Sequence, residues 1–128
     1  MSNADLVRSY LAAFASGDAD TVAGHVSDDF ENIQVGELGT GCTGKATYRQ
    51  RLEGFLSDFE GLKYEVHEII VDGDKVAAAY RMNFTQGDKA FDIPGVMVIT
   101  VSNGKIAVRR DYWDGMTYQR QVGEGALT

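Results

Sequence analysis

Apolar residues recur at helical spacing in the first half of the chain and mostly at alternating positions in the second half. From Ala4 to Ser16 they fall three and four positions apart, which predicts a first helix. Asp18 or Asp20 then caps a second, short helix that includes Val26. The same helical spacing from about Lys45 to Asp58 predicts a third helix with a single apolar stripe.

Five runs alternate between apolar and polar residues and predict strands: Phe30–Val35, Leu62–Val71, Val76–Phe84, Val96–Val101 and Ile106–Trp113. Asp72-Gly73 and Asn103-Gly104 separate neighbouring runs and favour the positive φ of tight hairpins. Pro94-Gly95 predicts a bulge or a late strand entry, because proline has no N–H for a ladder. Helices followed by hairpins predict an α+β fold with helices on one face of a curved antiparallel sheet.

The composition is that of one acidic globular domain over residues 1–128, whose tail is expected to fray at Gly123–Gly125. A net charge of -7 without a basic run argues against nucleic acid and anionic membranes as partners. No apolar stretch approaches the ~20 residues of a membrane span, and no secretory signal precedes the first helix, so a cytoplasmic location is expected. Cys42 is the single cysteine, which excludes an intrachain disulfide and a cysteine-based zinc site.

The last strand carries the main candidate for chemistry. Alternation divides its side chains into one face with Ile106, Val108, Arg110 and Tyr112 and another with Ala107, Arg109, Asp111 and Trp113. A carboxylate beside a tryptophan breaks the apolar pattern, and burying a carboxylate costs several kcal/mol unless it is paired. Asp111 is therefore either a functional carboxylate or part of an Arg–Asp pair at a solvated strand end.

Two further strands carry polar side chains among small or apolar residues. Arg81 and Asn83 share one face of Val76–Phe84 with small residues, which leaves room for a pocket. If this strand lies beside the last one, Arg81 meets Asp111, although a purely structural ion pair has the same sequence pattern. Asn32 on the first strand either orients a substrate oxygen or satisfies a backbone group.

Two other patterns do not predict sites. Residues 39–46 nearly match a phosphate-binding loop, but Ala46 replaces the required Ser or Thr, so the segment is interpreted as a loop entering a helix. His25 and His67 are far apart and lack the spacing of metal ligands, so no metal site is predicted.

The order of these features resembles the SnoaL-like proteins of the nuclear-transport-factor-two/ketosteroid-isomerase-like superfamily. The resemblance covers roughly residues 3–120 and rests on Gly17-Asp18, Asp29-Phe30, Gly44 before the third helix, Asp72–Val76 and Asn103–Asp114. It implies a cone-shaped sheet covered by three N-terminal helices around an internal apolar pocket. It further implies a homodimer through the outer face of the sheet, and it implies no cofactor.

Within that superfamily the last strand is similar to that of the limonene-epoxide hydrolases, with its Arg-Asp-aromatic-aromatic-Asp motif. Position by position, the resemblance assigns Asn32, Arg81 and Asp111 to that family's catalytic Asn, Arg and closing-strand Asp. Phe30 stands in place of its Tyr and Asn83 in place of its general-acid Asp. Because an amide cannot donate a titrating proton, the remaining set suits the one-carboxylate chemistry of polyketide cyclases and ketosteroid isomerases.

The expected function is therefore general acid–base catalysis by Asp111 on a small hydrophobic molecule. Arg81 would orient Asp111, while Asn32 and Asn83 would position water or an oxyanion. The expected pocket walls are Phe30, Trp113, Phe55 and Met97. Two alternatives stay open: an epoxide hydrolase like those acting on limonene epoxide, and a non-catalytic module for ligand binding or dimerisation.

Overall fold

Helices and strands succeed one another along residues 1–123, the part of the chain that the computed structural model describes. The helices are α1 (Asn3–Ala13), α2 (Ala19–Ala23), α3 (Lys45–Asp58) and α4 (Gly115–Val122), with a 3-10 turn at Phe14–Ser16. The strands are β1 (Val26–Gln34), β2 (Cys42–Thr43), β3 (Glu60–Asp72), β4 (Lys75–Gln86), β5 (Lys89–Ser102) and β6 (Lys105–Trp113). Glu124 and Gly125, where fraying was expected, lie outside the described residues.

Local capping explains where the first two helices begin. Ser2 accepts a hydrogen bond from the Asp5 N–H at 3.1 Å, and the Asp18 side chain accepts one from the Asp20 N–H. The second helix is shorter than predicted, because Val26 already belongs to β1. The Ile106 N–H donates to the carbonyl of His25 at 2.9 Å, so a contact distant in sequence draws this segment into the sheet.

The six strands form one curved, open sheet in the order β2-β1-β6-β5-β4-β3, which confirms the predicted α+β fold. Neighbouring strands are antiparallel except β1 and β6, which are parallel. The helices cover the inner face of the sheet, and the core between them contains large, fully buried side chains, including Tyr10, Phe14, Phe30, Ile93 and Ile106. Among the described residues, every helix is too short or too polar to cross a membrane.

Strand β5 runs without a bulge through Pro94, so the bulge or late entry predicted there is wrong. The Pro94 carbonyl accepts a hydrogen bond from the Asp114 N–H at 3.0 Å, just past the end of β6. In an antiparallel ladder the nitrogen and carbonyl of one residue face the same neighbour. The missing N–H of Pro94 therefore faces the end of β6, and no hydrogen bond to β4 is lost.

A bulge lies instead in β6, where the register with β5 shifts between Thr100 and Val101. A bulge reverses the alternation of side chains on either side of it. Ile106 therefore turns into the core, whereas Arg110 and Tyr112 face outwards. The prediction that these three side chains share one face is wrong for that reason.

Helix α4 was not predicted, and Asp114 caps its N-terminus. The Asp114 side chain accepts hydrogen bonds from the N–H of Thr117 at 3.1 Å and from its hydroxyl at 2.7 Å. These hydrogen bonds from Thr117 lower the pKa of Asp114. The cap sets α4 across the sheet, so that Tyr118 contacts the rings of Phe91 and Trp113.

Candidate active site

The inner face of the sheet, α3, α4 and the loop before β2 enclose a cavity of about 410 Å³. This volume lies in the range of small-molecule sites. Most of its lining is apolar, and nine lining side chains are aromatic: Phe14, Tyr48, Phe55, Phe59, Tyr64, Tyr80, Phe84, Trp113 and Tyr118. The cavity is therefore shaped for an organic molecule with few polar groups.

A buried ion pair lies in the lining of this cavity. Arg109 and Asp111 are 5% and 2% exposed, and Arg109 Nη2 donates to Asp111 Oδ2 at 2.6 Å. The Tyr80 hydroxyl donates to Asp111 Oδ1 at 2.5 Å, so both carboxylate oxygens accept hydrogen bonds. Among the lining residues of the described chain, Asp111 is the only carboxylate.

A glycine lets Tyr80 reach Asp111, although β5 lies between their two strands. Tyr80 pairs with Gly95 in the β4–β5 ladder, and Gly95 pairs with Trp113 in the β5–β6 ladder. A Cβ atom at Gly95 would lie 2.4 Å from the Tyr80 hydroxyl oxygen, closer than any real contact. The missing side chain thus makes the space through which Tyr80 crosses β5.

Tyrosine hydroxyls surround the other side of Arg109. Its Nη1 donates to the Tyr10 hydroxyl at 2.9 Å, and the hydroxyls of Tyr10 and Tyr48 are hydrogen-bonded to each other. Burial alone would lower the pKa of Arg109, but the oxygens of Tyr10 and Asp111 raise it well above its ordinary value. For a tyrosine the effect of burial is the reverse. Burial raises the pKa of Tyr48, and burial together with the negative charge of Asp111 raises the pKa of Tyr80. The site thus holds a permanent cation and neutral hydroxyls.

Three side chains from β1 and β6 form a polar relay on another part of the lining. Trp113 Nε1 donates to Gln34 Oε1 at 2.8 Å, and Gln34 Nε2 donates to Asn32 Oδ1 at 2.7 Å. Indole N–H is only a donor, so this order fixes the orientation of both amides. The Asn32 amino group makes no hydrogen bond within the described residues, which leaves it as a donor for a ligand.

The structure brings four of the predicted site residues to the cavity. Asn32, Asp111, Phe55 and Trp113 line it, and their assigned roles stay predictions. Phe30 and Met97 are completely buried in the core and expose no surface to the cavity, so their placement in the pocket wall is wrong.

Arg81 and Asn83 lie on the outer face of the sheet, so the predicted contact of Arg81 with Asp111 is wrong. Arg81 Nε instead donates to Asp92 Oδ1 at 2.8 Å, with both side chains about half exposed. There are two physical reasons. The side chains of β4 that face the cavity are those that alternate with Arg81, such as Tyr80, and β5 separates β4 from β6.

The main residue missed by the sequence reasoning is Arg109, which takes the place assigned to Arg81. Its signal was present, because Arg109 precedes Asp111 by two positions and therefore shares its face. Tyr80 and Gly95 carried no comparable signal, since their contact depends on strand order. Residues 1–123 contain no cluster of three or more His, Cys, Asp or Glu side chains that would hold a metal ion.

Comparisons with known proteins agree with this architecture. A family model described as a SnoaL-like domain matches residues 7–109. None of the curated proteins matches the chain. Among solved structures, an LEH-like epoxide hydrolase from M. tuberculosis is similar with a TM-score of 0.83 and 24% identity, over 98% of this chain and 93% of that chain.

Two further solved structures are similar at lower identity. A putative SnoaL-like polyketide cyclase from Jannaschia sp. CCS1 has a TM-score of 0.80 and 17% identity, over 94% of this chain and 90% of that chain. A hypothetical protein with a ketosteroid isomerase-like fold from Catenulispora acidiphila, in complex with trimethylamine, has a TM-score of 0.84 and 15% identity, over 93% of this chain and 92% of that chain. At these identities the likeness shows the fold.

Proposed function

The chain belongs to the SnoaL-like family, and from this premise we propose that it is an enzyme of polyketide-cyclase or ketosteroid-isomerase type. Asp111 performs general acid–base chemistry on a small hydrophobic substrate, and the proposed reaction uses protein side chains without a cofactor. The observation that carries the proposal is the single carboxylate in an apolar cavity, held on both oxygens by Arg109 and Tyr80. Cyclase and epoxide-hydrolase neighbours share the fold.

The proposed step begins when an Asp111 oxygen takes a proton from a carbon next to a substrate carbonyl. The electron pair of the broken C–H bond moves to the carbonyl oxygen and forms an enolate. The free amino group of Asn32 is available to donate to this oxyanion. Protonated Asp111 then returns the proton, either to another carbon in an isomerisation or to the alkoxide formed when the enolate carbon attacks a second carbonyl.

Arg109 and Tyr80 are positioning residues in this proposal, because each acts through Asp111. Their hydrogen bonds at 2.6 Å and 2.5 Å hold the carboxylate in one orientation. Orientation of a catalytic group within a closed site supplies a large part of many rate enhancements. The charge of Asp111 is compensated by Arg109 in the ground state.

Epoxide hydrolysis by a push–pull mechanism requires a second acid to protonate the leaving oxygen. Met82 occupies the cavity-facing position one alternation beyond Tyr80, and it has no proton to donate. A non-catalytic ligand-binding module is the second candidate, favoured by one observation: both Asp111 oxygens already accept hydrogen bonds.

The test uses 5-nitrobenzisoxazole, from which a base removes a ring C–H proton while the N–O bond breaks to give a coloured phenolate. We expect Asp111→Asn to lower kcat/KM for this probe about 10²-fold or more, the usual contribution of a general base. Asp92→Asn is the matched control, since Asp92 also pairs with an arginine but lies on the outer face.

Equal rates for the wild type and a folded Asp111→Asn variant would refute the general-base role. Circular dichroism of each variant separates loss of the base from loss of the fold. The hydrolase alternative is tested by incubation with styrene oxide. Formation of the diol by the wild type but not by Asp111→Asn would favour that alternative. A ligand that quenches the single tryptophan, Trp113, and is recovered unaltered would favour the binding module.

We also propose that two copies pair through the outer face of the sheet, with a cytoplasmic location as predicted. This face carries apolar and small side chains in adjacent rows: Ala77, Ala79, Val96, Val98 and Tyr112. Val96 and Tyr112 are 38% and 47% exposed in the single chain. Light scattering should report twice the chain mass for the wild type and the mass of one chain for Val98→Glu, while a wild-type monomer would contradict the proposal.

A further inference from the structure

The cavity lining carries a positive charge in a strongly acidic protein. Two arginines, Arg51 and Arg109, and one aspartate, Asp111, are its charged residues, so the lining sums to +1. The whole chain has a net charge of -7. The positive charge of Arg109 is compensated by the carboxylate of Asp111, whose Oδ2 lies 2.6 Å from Arg109 Nη2. The uncompensated positive charge of the lining therefore belongs to Arg51.

Arg51 lies at the mouth of the cavity, since it is exposed while Asp111 is buried. Its Nη1 donates to the Gly41 carbonyl at 2.7 Å, and none of the described carboxylates lies within 4.0 Å of its guanidinium. A guanidinium has five N–H donors, so four remain for a ligand. The planar fork suits carboxylate and other anionic oxygens.

The glycine-rich loop holds Arg51 in this place. A Cβ atom at Gly39 would lie 2.3 Å from the Cβ of Gln34, and one at Gly41 would lie 2.2 Å from the carbonyl oxygen of Asn32. These two glycines therefore let the loop lie directly on β1, with the Gly41 carbonyl turned to Arg51. The glycines that resemble a phosphate-binding loop thus serve to build the mouth of the cavity.

The interior of the cavity is lined by a cluster of aromatic rings, here called the aromatic wall: Phe55, Phe59, Phe84, Tyr118 and Trp113. The rings of Phe59 and Phe84 stack at 4.2 Å with only 8° between their planes. The rings of Phe55 and Phe59 follow at 4.5 Å, and Tyr118 meets Trp113 edge to face at 5.7 Å. Such walls bind planar rings by offset stacking and edge contacts.

We propose that the ligand is a planar ring compound with an anionic oxygen group, bound with its rings on the aromatic wall and its anion beside Arg51. This inference rests on the proposed function and names its substrate class. At the inner end the charges of Arg109 and Asp111 compensate each other, so the uncompensated cation Arg51 sets the orientation of an anionic ligand. The uncharged part of the ligand then faces Asp111, where the proposed proton transfer takes place.

Calorimetric titration with 2-naphthoate and its uncharged ester, methyl 2-naphthoate, tests the proposal. We expect the wild type to bind naphthoate about tenfold more tightly than the ester, as one charge-assisted hydrogen bond provides. Arg51→Gln should abolish this preference, and Arg51→Lys should keep part of it. The preference should also weaken as the salt concentration rises, because the contact is exposed.

Arg49→Gln is the matched control, because Arg49 lies on the same helix but binds Asp20 and Glu53. It should leave the preference unchanged. Equal affinity of the wild type for both probes, no binding of either probe, or an equal loss in Arg49→Gln would overturn the proposal. The rate of Asp111→Asn with 5-nitrobenzisoxazole is independent of this outcome, so failure of the general-base role is distinguishable from failure of the ligand class.

Discussion

Two arginine–aspartate pairs lie on opposite faces of the same sheet. The distances between their charged atoms are similar, but the two pairs differ strongly in burial and in the hydrogen bonds around them. Arg109 and Asp111 approach to 2.6 Å with side chains 6% and 3% exposed. Arg81 and Asp92 approach to 2.8 Å with side chains 43% and 51% exposed. Similar distances therefore say little about the contribution of an ion pair until its surroundings are known.

The surroundings decide because water screens the half-exposed outer pair, whereas the inner pair is buried. An exposed pair contributes a median of roughly 0–1 kcal/mol. A buried pair depends on further hydrogen bonds to offset the loss of hydration, and Tyr80 and Tyr10 supply them here. The inner pair is thus one member of a network, whereas the outer pair lies in water without such support.

The largest effect should follow from removing one partner of each pair. We expect Arg109→Met to lower the free energy of unfolding by about 3–5 kcal/mol, because Asp111 is left as a buried charge without its cation. Arg81→Met should lower it by less than about 1 kcal/mol. Urea unfolding measures both values, and similar losses for the two variants would contradict the comparison.

A double variant sharpens this result. We expect Arg109→Met/Asp111→Leu to be more stable than Arg109→Met alone, since no charge is left buried without a partner. The double variant should show no turnover of 5-nitrobenzisoxazole. A double variant that is less stable than Arg109→Met would mean that the pair contributes little to the cost of the single change.

The next effect concerns the hydroxyl that the inner pair has and the outer pair lacks. We expect Tyr80→Phe to lower the free energy of unfolding by roughly 1.5–3 kcal/mol, the range for hydrogen bonds to a charged group. The rate with 5-nitrobenzisoxazole should fall through kcat rather than KM, since Tyr80 orients Asp111. A variant with unchanged stability and kcat would remove Tyr80 from the network.

A somewhat smaller effect should follow from closing the space that Tyr80 crosses. Gly95→Ala places a methyl group against the Tyr80 hydroxyl, so we expect a loss of about 1–3 kcal/mol from overpacking, together with a lower kcat. Gly54→Ala in α3 is the control, because nothing lies within 4 Å of the added atom. It should stabilise the helix by about 1 kcal/mol or less.

The last prediction concerns the pH dependence of stability that the tyrosines around the inner pair cause. Burial, as the largest cause, raises the pKa of Tyr48, Tyr64 and Tyr80 above the ordinary 10.0. Above pH 10 the unfolded chain loses these protons while the folded protein keeps them, so stability falls as pH rises. Each tyrosine contributes about 1.4 kcal/mol per pH unit, and Tyr80→Phe should make the measured slope shallower by about that amount.

The features set by local chemistry could be predicted from the sequence. Helix α3 spans the predicted range Lys45–Asp58, and Asn103-Gly104 forms its hairpin turn, because both depend on residues near in sequence. The structure places Asp111, the candidate carboxylate of the last strand, in the cavity lining, and its catalytic role stays a prediction. Alternation further places Arg109 on the same side as Asp111 without any knowledge of neighbouring strands.

Only the tertiary structure decided which arginine meets Asp111. Alternation tells which residues share a face, but the inner face of β4 depends on the helices that cover it. The distance from Arg81 to Asp111 depends on β5 lying between their strands, which is a contact between distant segments. The path of Tyr80 across Gly95 has the same origin, because an empty space is a property of the packed strands rather than of either residue.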